Sequence, residues 1–380
     1  MADELSTGAA LSEPPSPVVQ CTATDGFREW IATRRVSLLV STYQAGKLLA
    51  IGWNGRQISL NARNFDNAMG IDVRGDFLAL ATSAQIQWFA NAPLLATDFT
   101  PQNPGRYDAV YLQRASHFTG PLFTHDLAFA GDGELWFVNT RFSCLATTSE
   151  EYSFIPRWQP PFISALTPED RCHLNGLAVR DGKPQTVTAL GACDQPRGWR
   201  ENKATGGILM DVPSGAIIRD GLAMPHSPRW HRNRLWVLNS GTGELLCVDA
   251  DAGTCEVVCF LPSYLRGLTF IDNFAIVGLC KIREKRVFGG LPIEQKVAKR
   301  LCGVTVIDIR SGQLVGSFEF TSGVEEIYDI RVLDKVRQAN LVPNDYSKQP
   351  GAGITAPTFS YWLLKSEEDS SPSKESPPAR

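Results

Sequence analysis

The sequence predicts an all-β protein, and within that class a six-bladed β-propeller closed by one C-terminal plus three N-terminal strands. Three observations carry this expectation. Short apolar strands of four to eight residues alternate with Gly, Asp and Asn turns over most of the 380 residues. Their spacing suits half-buried strands, not helices. A first-strand motif recurs as AMGIDV (68–73), THDLAF (124–129), LNGLAV (174–179), HSPRW (226–230), LRGLTF (265–270) and EIYDIRV (326–332), the mark of a repeat architecture. Nothing strand-like except the tail follows the last motif, whereas SLLVSTYQ (37–44), GKLLAIGW (46–53) and RQISLNA (56–62) precede the first. Joined, these segments complete a sixth blade, and closing the ring removes exposed sheet edges. A β-sandwich would leave the recurrence unexplained.

Along the chain, residues 1–20 are small, acidic and proline-rich and read as a disordered tail. The propeller occupies 21–342. Residues 343–380, ending in KSEEDSSPSKESPPAR, read as a second disordered tail, because they bury too little apolar area to offset the entropy of ordering. GFREWIATR (26–34) and the segment around IEQKVAKRL (293–301) are the helix candidates. Two long loops follow second strands, 191–206 in blade three and 280–303 in blade five, and long loops in compact domains tend to be functional.

Composition narrows the function classes. A formal charge of −3 offers no basic excess to neutralise phosphates, which argues against nucleic acid or an anionic membrane as partner. The basic cluster between Lys281 and Arg300 is mixed with Glu284 and Glu294 and reads as solvated surface. No apolar run approaches the roughly 20 residues of a membrane span. The N-terminus lacks the basic and apolar regions of a secretory signal, so a cytoplasmic location is expected. Nine cysteines without CxxC spacing read as reduced small hydrophobes.

Three of the five histidines, His125, His173 and His226, stand at or just before the start of a first strand. Arranged radially, their imidazoles converge on the channel axis. Met69, Asn175, Arg266 and Glu326, with Glu325 beside it, complete the expected ring. Imidazole and carboxylate are ligands of first-row metals, so His125, His173, His226 and Glu326 are the candidate set for a divalent transition metal: zinc, iron, copper or manganese. Asp126 and Asn175 are the expected acceptors fixing the neighbouring imidazoles. Arg266 is a candidate clamp for an anionic group, Tyr328 a candidate proton donor, and Glu325 a further catalytic candidate. Arg197, Trp199 and Arg200 in loop 191–206, with Asn139, Arg141 and Asn239 in shorter turns, are the candidate substrate contacts. His117 and His231 are expected outside the site.

The segments VSLLVSTYQAGKLLAIG, HDLAF, HLNGLA, PHSPRW, VFGGLPIEQ and CGVTVIDIRSG together resemble an uncharacterised bacterial family of predicted propeller proteins, a domain-of-unknown-function group. The resemblance covers roughly residues 21–333 and implies a fold but no activity. In site logic alone the chain is similar to the amidating lyase that cleaves peptidyl hydroxyglycine, a six-bladed ring with a three-histidine zinc site. Gluconolactonase-like propellers, with their oxygen-rich calcium site, look unlike it. The expectation is thus a metal-dependent enzyme acting on an anionic small molecule or peptide, with lyase, hydrolase and oxygenase chemistry all open. The alternative is a non-catalytic propeller that binds a peptide or protein partner through loops 191–206 and 280–303.

Overall fold

The computed structural model describes residues 18–97, 105–281, 289–342 and 351–364. The proposed N-terminal tail lies almost entirely outside the described residues, as does Phe288 of the blade-five loop. Six antiparallel blades form a propeller. Their innermost strands are Ile71–Arg74, Thr124–Phe129, Leu174–Arg180, Pro225–His231, Tyr264–Ile271 and Asp329–Leu333, the inner strands of blades one to six. Blade six closes as expected: Asp329–Leu333 pairs with Ser37–Thr42, followed outward by Lys47–Trp53 and Ile58–Asn64. The middle strands are buried along their whole length, as Leu38, Leu39, Val40, Leu48, Leu49 and Ile51 show, because each blade is covered on both faces.

The ends of the chain hold more structure than the sequence suggested. Gln20–Ala23 adds a fifth strand to blade five, alongside Gln313–Ser322. Helix α1 (Asp25–Arg34) follows, capped by the Thr24 hydroxyl accepting from Phe27 N, and buries Phe27, Trp30 and Ile31. At the other end, Ala339–Val342 runs parallel to Ala109–Phe118 and widens blade one. The tail predicted to be disordered from 343 contains a hairpin, Gly351–Ala356 with Phe359–Leu364. The hairpin is tied to the short helix α2 (Pro93–Ala96) by Trp362 Nε1 donating to Leu95 O at 3.1 Å. Its indole supplies the apolar area that the rest of the tail lacks. The helix expected over 293–301 shrinks to α3 (Pro292–Lys296), after which Val297 turns extended.

A layer of ion pairs fills the axis. Asp126 accepts from its neighbour Leu127 N and from Leu177 N of the next blade, both at 3.0 Å. Asp329 repeats the pattern with Ile330 N at 2.8 Å and Ile71 N at 3.1 Å. Arg229 grips Asp126 at 2.7 and 3.1 Å. Arg331 reaches Asp329 at 2.7 Å, Asp72 at 3.0 Å and Asp126 at 3.3 Å. The matching roles of Asp126 and Asp329 fix the register of blade six. Tyr328, not Glu326, is therefore the counterpart of His125, and the expected ring shifts by two residues in that blade.

Pairing irregularities in the inner strands, between His226 and Arg229 in blade four and between Leu265 and Leu268 in blade five, break the alternation of faces. In blade two the register slips at the same place, where Asn139 pairs with Thr124 but Phe137 with Leu127. His125 and Asp126, though adjacent, thus both serve the axis. Gly267, at φ 79°, sits in the blade-five irregularity, where a Cβ would lie 2.9 Å from Ile330 N.

Because the Asp126 side chain is 3% exposed, its removal would strip Arg229 of its carboxylate at 2.7 Å and leave it only Asp329 at 3.5 Å, while Arg331 keeps Asp329 and Asp72. Asp126→Ala should lower unfolding stability by about 3–5 kcal/mol, read as a shift in urea midpoint. A loss under about 1 kcal/mol would mean that water compensates Arg229 in place.

Candidate functional site

The loops after the second strands return to the mouth above this layer and enclose a cavity of about 230 Å³. Met69, His125, His173, His226, Arg266, Glu326 and Tyr328 all line it, whereas Asn175 and Glu325 of the expected ring do not. The rings of His125 and His173 meet edge to face with centroids 4.8 Å apart, and His125 lies 5.3 Å from Tyr328.

Each imidazole is held through Nδ1. His125 Nδ1 lies 2.8 Å from Phe123 O and 2.7 Å from Thr140 Oγ1. The Thr140 hydroxyl donates its own proton to Leu174 O at 2.6 Å, so both groups accept and Nδ1 carries the hydrogen. His226 Nδ1 lies 2.9 Å from Met224 O and 3.1 Å from Ser240 Oγ, which sets the same tautomer. His173 Nδ1 donates to the Asp170 carboxylate at 2.9 and 3.0 Å. With Nδ1 donating, Nε2 is the lone pair of each ring in its neutral form, and among the described residues the histidines' hydrogen bonds all run through Nδ1. His173 does not occupy the same site as the other two. It has φ 50°, like Phe123 at 55° and Met224 at 49°, residues that stand two positions before His125 and His226, and the ring position of blade three belongs to Asn175.

Arg266 is 6% exposed. Its Nη1 donates to Glu326 at 2.8 Å, its guanidinium lies 3.8 Å over the Tyr328 ring, and its buried Nε has no partner among the described residues. Burial holds His125 and His226 well below the ordinary histidine value, helped at His125 by His173 and then Arg266, and at His226 by Arg266. Burial also pushes the Tyr328 hydroxyl up, so it stays protonated.

Several expected contacts go elsewhere. Asp126 belongs to the axial layer, and Asn175 bonds Pro225 O and Thr188, so neither orients an imidazole; Phe123 O and Asp170 do. Glu326 is engaged by Arg266, and Glu325 faces Lys281 at 4.0 Å away from the cavity lining. Asn139 and Asn239 accept from Phe142 N and Ala223 N, holding their own turns. Arg141 packs 4.5 Å over Phe123. Of loop 191–206, Trp199 and Arg200 line the cavity while Arg197 does not. His117 packs beside Trp88, and His231 stacks on Phe270 and bonds Asp272 O, outside the site as expected. The sequence reading missed Asp170, Thr140, Tyr43 and Tyr264, though it placed Ser240 in a turn on the histidine side. The signal for Thr140 was present: VNT places a hydroxyl directly after Asn139, as LNS does after Asn239.

Among the described residues no three His, Cys, Asp or Glu groups stand together as a ready metal cluster. The donor chemistry of three Nε2 lone pairs fits a transition metal, but the rings would have to draw together around it.

The fold and this mouth define a class: a six-bladed propeller with a small, polar, imidazole-rich pocket at one end of its channel. The chain belongs to the family described as Domain of unknown function (DUF4915), whose pattern matches residues 25–342. No curated protein matches it. Among solved structures it is similar to a chain in the nidogen/laminin complex, with TM-score 0.50 and 9% identity over 79% of this chain and 99% of that one. Virginiamycin B lyase from Staphylococcus aureus gives TM-score 0.38 and 10% identity over 75% and 79%, and the computationally designed Ika8 protein 0.35 and 12% over 76% of each. These likenesses concern the fold alone. Among the described residues no helix is long and apolar enough to cross a membrane.

The buried neutral histidines give a pH signature. Unfolded, His125 and His226 take up a proton as pH falls through about 6.5; folded, they resist it. The unfolded state then binds more protons, so stability should fall as pH falls, by about 1.4 kcal/mol in all for each ring between about pH 7.5 and 5.5. Urea unfolding from about pH 7.5 to 5.5 measures the slope, and His226→Gln should remove its share. A slope unchanged by that substitution would show that the ring protonates in place.

Proposed function

We propose that the channel mouth is the active site of a metal-dependent enzyme acting on a small molecule or peptide with an anionic group. The observation that carries this reading is the shared tautomer. Phe123 O, the Asp170 carboxylate and Met224 O fix Nδ1–H on His125, His173 and His226, leaving three Nε2 lone pairs on one cavity wall. Metal-binding histidines are typically held in this way. Burial also keeps His125 and His226 unprotonated, as ligation requires.

A divalent zinc, iron, copper or manganese ion held there would supply Lewis acidity. The chain's own groups have distinct roles around it. Arg266 offers its remaining guanidinium edge to a substrate oxyanion, with Glu326 and the Tyr328 face holding the fork in position. Tyr328, kept protonated by burial, can donate a hydrogen bond to a bound group. Trp199 and Arg200 line the cavity, and its volume of about 230 Å³ suits a small molecule or the end of a peptide. Trp199 is 2% exposed and turned inward, which favours a pocket wall over the free recognition loop of the binding-protein alternative. A cytoplasmic location suits the free cysteines, several of them buried among apolar side chains.

The test is metal content. Protein purified without a histidine tag should carry, or take up on reconstitution, close to one equivalent of a transition metal by elemental mass spectrometry. His125→Ala and His226→Ala should lose it while melting cooperatively. A folded wild type that binds none of the four metals would overturn the reading and leave partner binding through the loops as the better account.

A further inference from the structure

Blade three departs from the other histidine blades in one respect. In blades two and four the imidazole leans on a backbone carbonyl and a hydroxyl; in blade three it leans on a carboxylate. We infer that Asp170 is a dedicated positioning residue, which locks His173 with Nε2 unprotonated toward the cavity and raises its strength as a donor. The inference rests on the metal-site reading above but makes its own demand on the tautomer of one ring.

The surroundings of Asp170 serve this orientation. Its Oδ1 and Oδ2 both lie within 3.0 Å of His173 Nδ1, and Oδ2 also accepts from Trp199 Nε1 at 3.2 Å. The indole packs against the His173 ring with centroids 4.4 Å apart and planes tilted by 41°, so one tryptophan bears on both the carboxylate and the imidazole. Asp170 and His173 both have left-handed backbone, at φ 51° and 50°, a region uncommon for residues with a side chain but one in which Asp and His are enriched. Neighbouring groups hold the turn in this conformation. Here Asp170 N donates to Arg141 O at 2.9 Å, and Arg171 bridges Glu169 at 2.8 Å and Asp194 at 2.7 Å. Asp194 belongs to the loop that carries Trp199, and Arg197 N of that loop donates to Glu169 O. Loop 191–206 is thereby clamped to the 169–173 turn as a wall behind one imidazole.

The physical effect follows from acceptor chemistry. A carboxylate has no proton to give, so Nδ1 must donate, and in the neutral ring Nε2 is then the lone pair. Its negative charge also makes the ring a better ligand, and loss of such a partner typically weakens metal binding 10–100-fold.

The experiment uses the full chain labelled with 15N in histidine, with His173 assigned through His173→Gln. In the wild type at neutral pH its Nε2 should show the nitrogen shift of an unprotonated ring atom. Asp170→Gly, which accepts the positive φ without strain, and Asp170→Asn should both move His173 toward the Nε2–H form. Zinc or manganese titration should weaken about 10–100-fold, while His125 and His226 keep their tautomer. A wild-type His173 protonated at Nε2 overturns the inference, whether or not the variants fold. So does an unchanged His173 tautomer in both variants. If the tautomer moves but the wild type binds no metal, Asp170 is still a positioning residue and the metal reading fails alone.

Discussion

The axial ion-pair layer is the constraint on which the rest of this propeller depends. Asp126 and Asp329 each join their own strand to the inner strand of the next blade, while Arg229 and Arg331 cross the channel to neutralise them. Inner strands of a propeller do not hydrogen-bond to one another through a continuous ladder, so relative blade position needs some other device. Buried charges supply it because an unpaired carboxylate or guanidinium there is far costlier than a paired one. Arg331, which touches Asp72, Asp126 and Asp329, ties blades one, two and six. The closure of the ring by the two ends of the propeller is thus reinforced at its centre.

The functional mouth is built directly on this layer. His125 precedes Asp126 and Tyr328 precedes Asp329, so the residues that hold the blades in register also set the height of the imidazole and phenol above them. Polar saturation differs sharply between the two levels. Below, nearly every donor of Arg229 and Arg331 is matched. Above, the buried Arg266 Nε has no partner among the described residues, and the hydrogen bonds of the three histidines run through Nδ1, leaving Nε2 for the cavity. Unused hydrogen-bonding capacity on one cavity wall is what a ligand site requires, and a packing layer avoids it.

The repeat also shows how a ring of equivalent positions becomes specialised. The ring residues are Met69, His125, Asn175, His226, Arg266 and Tyr328, one per blade. The residues two positions earlier, including Phe123, His173, Met224, Tyr264 and Glu326, form a second tier at the mouth. Two imidazoles come from the first tier and one from the second. Asn175 is spent on blade contacts with Pro225 and Thr188, and the histidine displaced from its position gains a carboxylate partner that the others lack.

The sequence by itself determined the fold and the gathering of three histidines at one mouth. Strand periodicity, six recurrences of one motif and the unequal ends implied a closed six-bladed ring, and histidines at matching starts of strands implied a common mouth. These features are local or repetitive, and repetition makes a long-range arrangement visible in a linear pattern. Tertiary structure alone decided the polar partners. Asp126 follows His125 in sequence, yet irregular pairing in the inner strand sends it down to the ion-pair layer. Asp170 lies three residues before His173 in a turn without repeats, and only two left-handed residues and a clamped tryptophan bring its carboxylate under the ring. The blade-six register likewise depended on Asp329 reaching Ile71 across 258 residues. The hairpin at 351–364 became ordered because Trp362 found Leu95 on blade one. Hydrogen bonds between groups distant in sequence leave no periodic trace, so they had to be read from the folded chain.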